Sequence, residues 1–170
     1  MAYRMERLRK QKITRGAVLF AFNSPKFNYF KMAEFAAKRI QCFLKLPVTL
    51  VTDTNSLVAN SSFSFDNIII VEPDLTNNRE WGVWLNKGRF RAYDLSPYDE
   101  TLVMDVDYMV NSPELLKVFE FPTDFCCYGN VSYIMHPTGA QEAISALSFN
   151  TVWATVMFFK KTSRAKQIFD

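Results

Sequence analysis

Short apolar runs alternate with amphipathic stretches along this chain. Residues 16–22 (GAVLFAF) form a continuous apolar run bounded by polar residues, which predicts a buried strand. Ser24 as a cap and Pro25 as a first helical residue then predict a helix start. On that helix Phe30, Ala33, Ala37, Ile40 and Leu44 recur at helical spacing, opposite Lys31, Glu34, Lys38 and Gln41. Pro47 ends it, and residues 48–52 (VTLVT) are a second strand reaching Asp53. Strand, helix, strand is the repeating unit of a parallel sheet, so the fold class is α/β.

The rest of the chain extends the pattern. Residues 54–65 are mostly polar and read as a loop, and residues 67–71 (NIIIV) as a third buried strand. Pro73 and Asn77-Asn78 mark turns, and residues 84–95 can form a helix with a weak point at Gly88. Residues 101–104 (TLVM) are a fourth strand that runs on through residues 105–110. Ser112-Pro113-Glu114 repeats the cap signal before a short helix at residues 115–119. Residues 125–128 and 155–159 are further strand candidates. A helical pattern opens at Ser163 and stops within about two turns. A helix so short is marginal by itself, and the expectation is a truncated reading frame, incomplete at its C-terminal side.

Composition narrows the class. A chain of 170 residues suits one core, and 49% hydrophobic with 22% charged residues excludes a disordered chain. The net charge of +3 is too small to point to a specific nucleic-acid partner. Arg4, Arg7, Arg9, Lys10, Lys12 and Arg15 make residues 1–15 a basic N-terminal tail, read as a solvated terminus, with the domain occupying 16–170. No long apolar segment follows the tail, so neither a signal peptide nor a transmembrane segment is expected. Cys42, Cys126 and Cys127 have no zinc-type spacing with His136, the single histidine. They read as free buried thiols in a reducing cytoplasm.

Candidate chemistry centres on Asp105-Val106-Asp107. In a strand, residues i and i+2 face one side, about 6–7 Å apart. Two carboxylates so placed offer hard oxygen ligands to Mn²⁺ or Mg²⁺, whose remaining positions go to water and substrate phosphates. Two aspartates at the C-terminal end of a parallel strand also escape the cost of burial unpaired, and ligands bind at that edge. Lys87 and Arg89 lie on the preceding helix. They read equally as cations reaching a diphosphate and as part of a solvated basic face that includes Arg91. Asn23 and Asp53 follow the first two strands and reach the same edge, to bind a base or ribose or to cap a turn.

The stretch from Arg89 to Glu120, RFRAYDLSPYDETLVMDVDYMVNSPELLKVFE, resembles the GT-A-fold glycosyltransferases, in particular their glycogenin-like and galactosyl-transfer group. The shared pattern is a basic residue, a helix ending at Tyr98, an apolar strand, the DxD motif, a hydrophobic tail and a short helix ending in Phe-Glu. The first two strands match the family in order, so the resemblance spans most of the chain, although only the DxD stretch is specific. It implies a GT-A-like (Rossmann-like) mixed, mostly parallel sheet flanked by helices. It further implies transfer of a sugar from a nucleotide-diphosphate donor, a UDP-sugar first, to an acceptor hydroxyl on a glycan, protein or small molecule. Asp105 and Asp107 would bind the metal. Arg89 would stand where the family has a phosphate-binding lysine. Ala21, Phe22, Asn23 and Asp53 would line the nucleoside pocket, and Asn150 would sit near the transferred sugar. The family's third metal ligand, a histidine near a Gly and a Lys, has no matching segment here. Two rivals remain. A sugar nucleotidyltransferase would carry a Gly-rich phosphate loop where this chain reads FNSPKF, and a non-catalytic binding domain would keep the fold alone.

Overall fold

A computed structural model describes residues 14–57, 61–72, 78–79, 82–83, 85–128 and 153–170. Asn150, His136 and most of the basic tail lie outside them. The elements in chain order are β1 (Arg15–Phe20), α1 (Tyr29–Leu44), β2 (Val48–Thr52), β3 (Asn67–Ile70), the short pair β4 (Asn78–Arg79) and β5 (Gly82–Val83), and a 3-10 helix at Leu85–Arg91. There follow α2 (Ala92–Leu95), β6 (Glu100–Met104), a second 3-10 helix at Pro113–Glu120, β7 (Phe125–Tyr128), β8 (Trp153–Lys160) and α3 (Ser163–Phe169).

Six strands form one sheet in the order β3-β2-β1-β6-β8-β7. The first four are mutually parallel, and β8 runs antiparallel between β6 and β7. This is the mixed, mostly parallel sheet that the sequence implies. Because β1 has parallel partners on both edges, all its residues from Gly16 to Phe20 are buried, and the strand reads as unbroken apolar sequence. Alternation divides its side chains. Ala17 and Leu19 face a layer made by α1 and the second 3-10 helix, with Phe30, Ala37, Ile40 and Phe119. Val18 and Phe20 face the other layer, with Ala92, Tyr98 and Ala165 from the α2 and α3 side. The result is helices on both faces of the sheet.

Several elements differ from the sequence reading, each for a local reason. The helix after β1 starts at Tyr29, not at Ser24-Pro25, because Asn28 caps it by accepting a hydrogen bond from Lys31 N at 2.9 Å. Ser24 instead closes a bend, its Oγ accepting from Phe27 N at 3.1 Å. The strand β3 is present but stands at the sheet edge, where Ile68 and Ile70 are exposed. Residues 85–95 are helical but tighten to a 3-10 helix until Ala92. The first strand takes in Arg15, whose Nε lies 2.7 Å from Glu100 Oε2 on β6, and Thr14 N donates to Asp99 at 2.8 Å. The first strand thus reaches back past Gly16. Cys42 is exposed on α1 and Cys126 and Cys127 are half-buried on β7, so the thiols are free as read but not fully buried.

The short helix α3 holds because tertiary contacts support it. Thr162 caps it, accepting from Ala165 N at 3.2 Å, and Phe169 stacks edge-on against Phe159 with ring centres 5.1 Å apart. Phe125 and Tyr93 complete that aromatic cluster.

Gly16 is the tightest packing point. A Cβ there would come within 2.3 Å of the Tyr98 ring. The ring is buried and its hydroxyl is bonded to Thr49 Oγ1 at 2.9 Å, so it has no room to retreat. Gly16→Ala is therefore expected to destabilise the protein by about 1–3 kcal/mol, seen as a lower Tm. Gly88→Ala, where a Cβ meets nothing within 4 Å, is the control and should leave Tm nearly unchanged.

Candidate functional site

The strand register brings the sequence-picked residues to one edge. Leu19 pairs with Met104 and Phe20 with Val51, so the chain leaves β1, β2 and β6 at the same level. Ala21, Phe22 and Asn23 follow β1, Asp53 follows β2, and Asp105 follows β6. From β1 the chain moves to β2 and β3 on one side, whereas β6 lies on the other. The C-terminal edge between β1 and β6 is thus a topological switch point, where open α/β sheets leave a crevice for ligands.

At the β6 end the strand stops at Met104. Asp105 does not continue it, contrary to the sequence reading. Its N–H still bonds the Thr155 carbonyl on β8 at 2.8 Å, but its own carbonyl accepts from Tyr108 N at 3.1 Å, which makes residues 105–108 a turn. The turn buries Val106 while leaving Asp107 exposed and Asp105 half-buried. The two carboxylates therefore share a tight turn instead of one face of a strand.

Arg89 completes the cluster. From the 3-10 helix its Nη1 reaches Asp105 Oδ1 at 2.5 Å, and Nη2 donates to the Ala154 carbonyl. The Arg89 side chain is 12% exposed and that of Asp105 is 23% exposed. Burial pushes the Asp105 carboxyl above its ordinary range, against the pull of the Arg89 charge; the nearby Asp107 charge raises it further, and a hydrogen bond with the Thr155 side chain lowers it. Burial likewise lowers the Arg89 guanidinium, which the charges of Asp105 and Asp107 oppose. Such a guanidinium stays charged. The Lys87 backbone lies on the same 3-10 helix, but its side chain is outside the described residues.

At the β1 and β2 ends the residues serve the fold first. The Ala21 and Phe22 side chains are buried in the core, so only their backbone faces the edge. Asn23 Oδ1 accepts from Phe30 N at 2.9 Å, which ties β1 to the start of α1, and Asn23 N donates to Ser56 Oγ at 2.6 Å. Asp53, buried, accepts from Ser56 N at 2.6 Å and caps the turn that follows β2.

Residues 155–159 read as a strand, but sequence reasoning missed that Thr155 and the Ala154 carbonyl reach the Asp105 turn, because nothing local shows that this strand runs antiparallel beside β6. It also missed Tyr108, whose hydroxyl lies 3.3 Å from that of Tyr128. Burial and that hydrogen bond push Tyr108 up to about 12. Among the described residues no group of three or more His, Cys, Asp or Glu is placed to hold a metal.

No protein-family model and no curated protein matches the chain. Solved structures do. The glycosyltransferase GlyE of Streptococcus pneumoniae TIGR4 superposes with a TM-score of 0.51 at 17% identity, over 91% of this chain and 36% of GlyE. The galactosyltransferase LgtC, solved with donor and acceptor sugar analogues, gives 0.59 at 13% identity, over 89% of this chain and 59% of LgtC. The bifunctional IspDF of Campylobacter jejuni gives 0.53 at 14% identity, over 92% of this chain and 43% of that one. The chain has a GT-A-like fold, a mixed and mostly parallel sheet flanked by helices. It spans between about a third and three fifths of the length of these neighbours. No helix among the described residues is long and apolar enough to cross a membrane.

The Asn23 bonds predict a structural cost. Asn23→Ala should lose about 1–2 kcal/mol of stability in urea melts. Asn23→Asp, which keeps the acceptor for Phe30 N, should recover most of it.

Proposed function

We propose that this chain is the nucleotide-sugar-binding part of a metal-dependent glycosyltransferase that moves a sugar from a nucleotide-diphosphate donor, a UDP-sugar, to an acceptor hydroxyl. One observation carries the reading: Asp105, Asp107 and Arg89 converge at the C-terminal end of β6, beside the switch point of a sheet with this fold. The neighbours include nucleotidyltransferases as well as glycosyltransferases. The segment after β1 favours the second class, because the bend at Ser24 holds Pro25 and no glycine, whereas a nucleotidyl transfer site cradles its triphosphate in a Gly-rich loop. Free cysteines, one of them exposed, fit a reducing cytoplasm.

The donor set suits a hard cation that takes few protein ligands. Two carboxylates on one turn, one of them exposed, leave room for water and phosphate oxygens, which suits Mn²⁺ or Mg²⁺. When bound, such an ion neutralises charge on the departing diphosphate. The chain's own residues divide the other work. Arg89 offers a planar fork to phosphate oxygens, and its charge favours the diphosphate more as negative charge grows there. The backbone at Ala21 and Phe22, with Asn23 and Asp53, borders the nucleoside side of the edge. Asp53 and Asp105 leave strands two apart, so roughly 10 Å separates those two parts of the edge. That distance matches the reach from a nucleoside to its diphosphate. Asn150 remains our candidate for the sugar side.

Calorimetric titration with UDP-glucose or UDP-galactose and Mn²⁺ tests the reading. Binding should need Mn²⁺ and vanish with EDTA. Asp107→Asn should weaken it about tenfold or more while leaving Tm within a few degrees of the parent, since the side chain is exposed. Undiminished affinity in Asp107→Asn would remove the metal role.

A further inference from the structure

We propose that Arg89 is a built-in counter-ion that holds the Asp105 carboxylate until a divalent cation and a diphosphate arrive together, so that the two ligands bind cooperatively. The inference rests on the metal and diphosphate reading given above and concerns how that site is switched. Arg89 Nη1 lies 2.5 Å from Asp105 Oδ1, at contact distance on one of the two carboxylate oxygens that a metal would draw on. A dication on that carboxylate would stand beside the guanidinium, and two cations at such a separation repel strongly in a half-buried setting. Metal entry at Asp105 therefore works against the Arg89 contact and favours its release.

The structure also indicates where the guanidinium goes. Nη2 is held by the Ala154 carbonyl at the start of β8, while Nε is buried with no hydrogen-bond partner among the described residues. A buried donor left unpaired costs about 1–3 kcal/mol, so this arrangement is a poor resting place for all of the fork. With Nη2 as the pivot, release from Asp105 frees Nη1. A diphosphate oxygen then supplies the anionic acceptor that Nη1 loses and one that Nε lacks. Asp107 is exposed and its charge already acts on Arg89, so it offers a first contact for the incoming ion.

The exchange links the two ligands. A diphosphate that draws Arg89 away exposes Asp105 to the cation, and a cation on Asp105 sends Arg89 toward the diphosphate. By linkage each ligand raises the affinity for the other by the same factor. Without the nucleotide, the cation must compete with an internal guanidinium.

Mn²⁺ alone, titrated into the nucleotide-free protein and followed by the electron paramagnetic resonance of the free ion, tests this directly. The wild type should bind Mn²⁺ weakly. Arg89→Gln, which keeps a donor for Ala154 but removes the charge, should bind it about tenfold more tightly. Arg89→Lys keeps the charge without the planar fork, should stay near the wild type, and serves also if the glutamine variant fails to fold. Loss of Mn²⁺ binding in Arg89→Gln/Asp107→Asn would place the ion at the acidic pair. If Arg89→Gln binds Mn²⁺ no better than the wild type, or if Arg89→Lys binds it as tightly as the glutamine variant is expected to, the counter-ion role is overturned and the metal reading survives. If none of these proteins binds Mn²⁺ at millimolar concentration even with UDP added, the metal reading itself fails and the counter-ion role with it.

Discussion

Strand β1 is gripped by parallel neighbours on both edges, and the rest of the molecule follows from that constraint. From Gly16 to Phe20 neither face nor edge of the strand sees water, so those residues must be apolar and their hydrogen bonds complete. The chain must leave it toward β2 on one side and return as β6 on the other. That divergence makes the C-terminal edge a switch point, and Asn23, Asp53 and Asp105 emerge along it. Gly16 sets how closely the second layer approaches, since the Tyr98 ring rests where a side chain would otherwise lie. Tyr98 in turn anchors Thr49 on β2, so packing on one face fixes the relative height of three strands. Because that edge is built from strand ends, the height decides which residues meet along it.

Much of the fold was legible because burial leaves a signal in local sequence. The apolar runs at residues 16–22, 48–52 and 101–104 mark the three central strands, and the apolar stripe from Phe30 to Leu44 marks α1. What was illegible depends on neighbours distant in the chain. Ser24-Pro25 has the composition of a helix start, yet Asn28 captures the cap and Asn23 takes the next free N–H, a choice made by the register of β1 against the Ser56 loop. Three consecutive isoleucines look like a buried strand, but position at the edge of a sheet is set by topology, and two of them are exposed.

The acidic pair shows the same division. Its residue types and its place after an apolar strand could be read directly. Its geometry could not, because the antiparallel strand β8 takes the Asp105 N–H and the chain then turns through Tyr108. Nor does sequence reveal that Arg89 rests on Asp105. The two are 16 positions apart and meet only when the 3-10 helix packs beside β6. The pair is half-buried, with its charges opposed and a remaining negative charge on Asp107. Such an arrangement stabilises little by itself, since desolvation offsets most of the attraction. It is better understood as preorganised charge than as a structural rivet.

One exposed thiol gives this molecule an experimental handle. Cys42 stands in solvent near the end of α1, whereas Cys126 and Cys127 are half-buried and burial pushes both thiols up, away from the reactive thiolate. A maleimide dye at neutral pH should therefore attach chiefly to Cys42. That residue lies 13 positions after Tyr29 along the helix, about 20 Å from the helix start, which follows the C-terminal end of β1. A fluorophore there would sit at the opposite end of the sheet from the acidic turn, able to report on the chain without obstructing it.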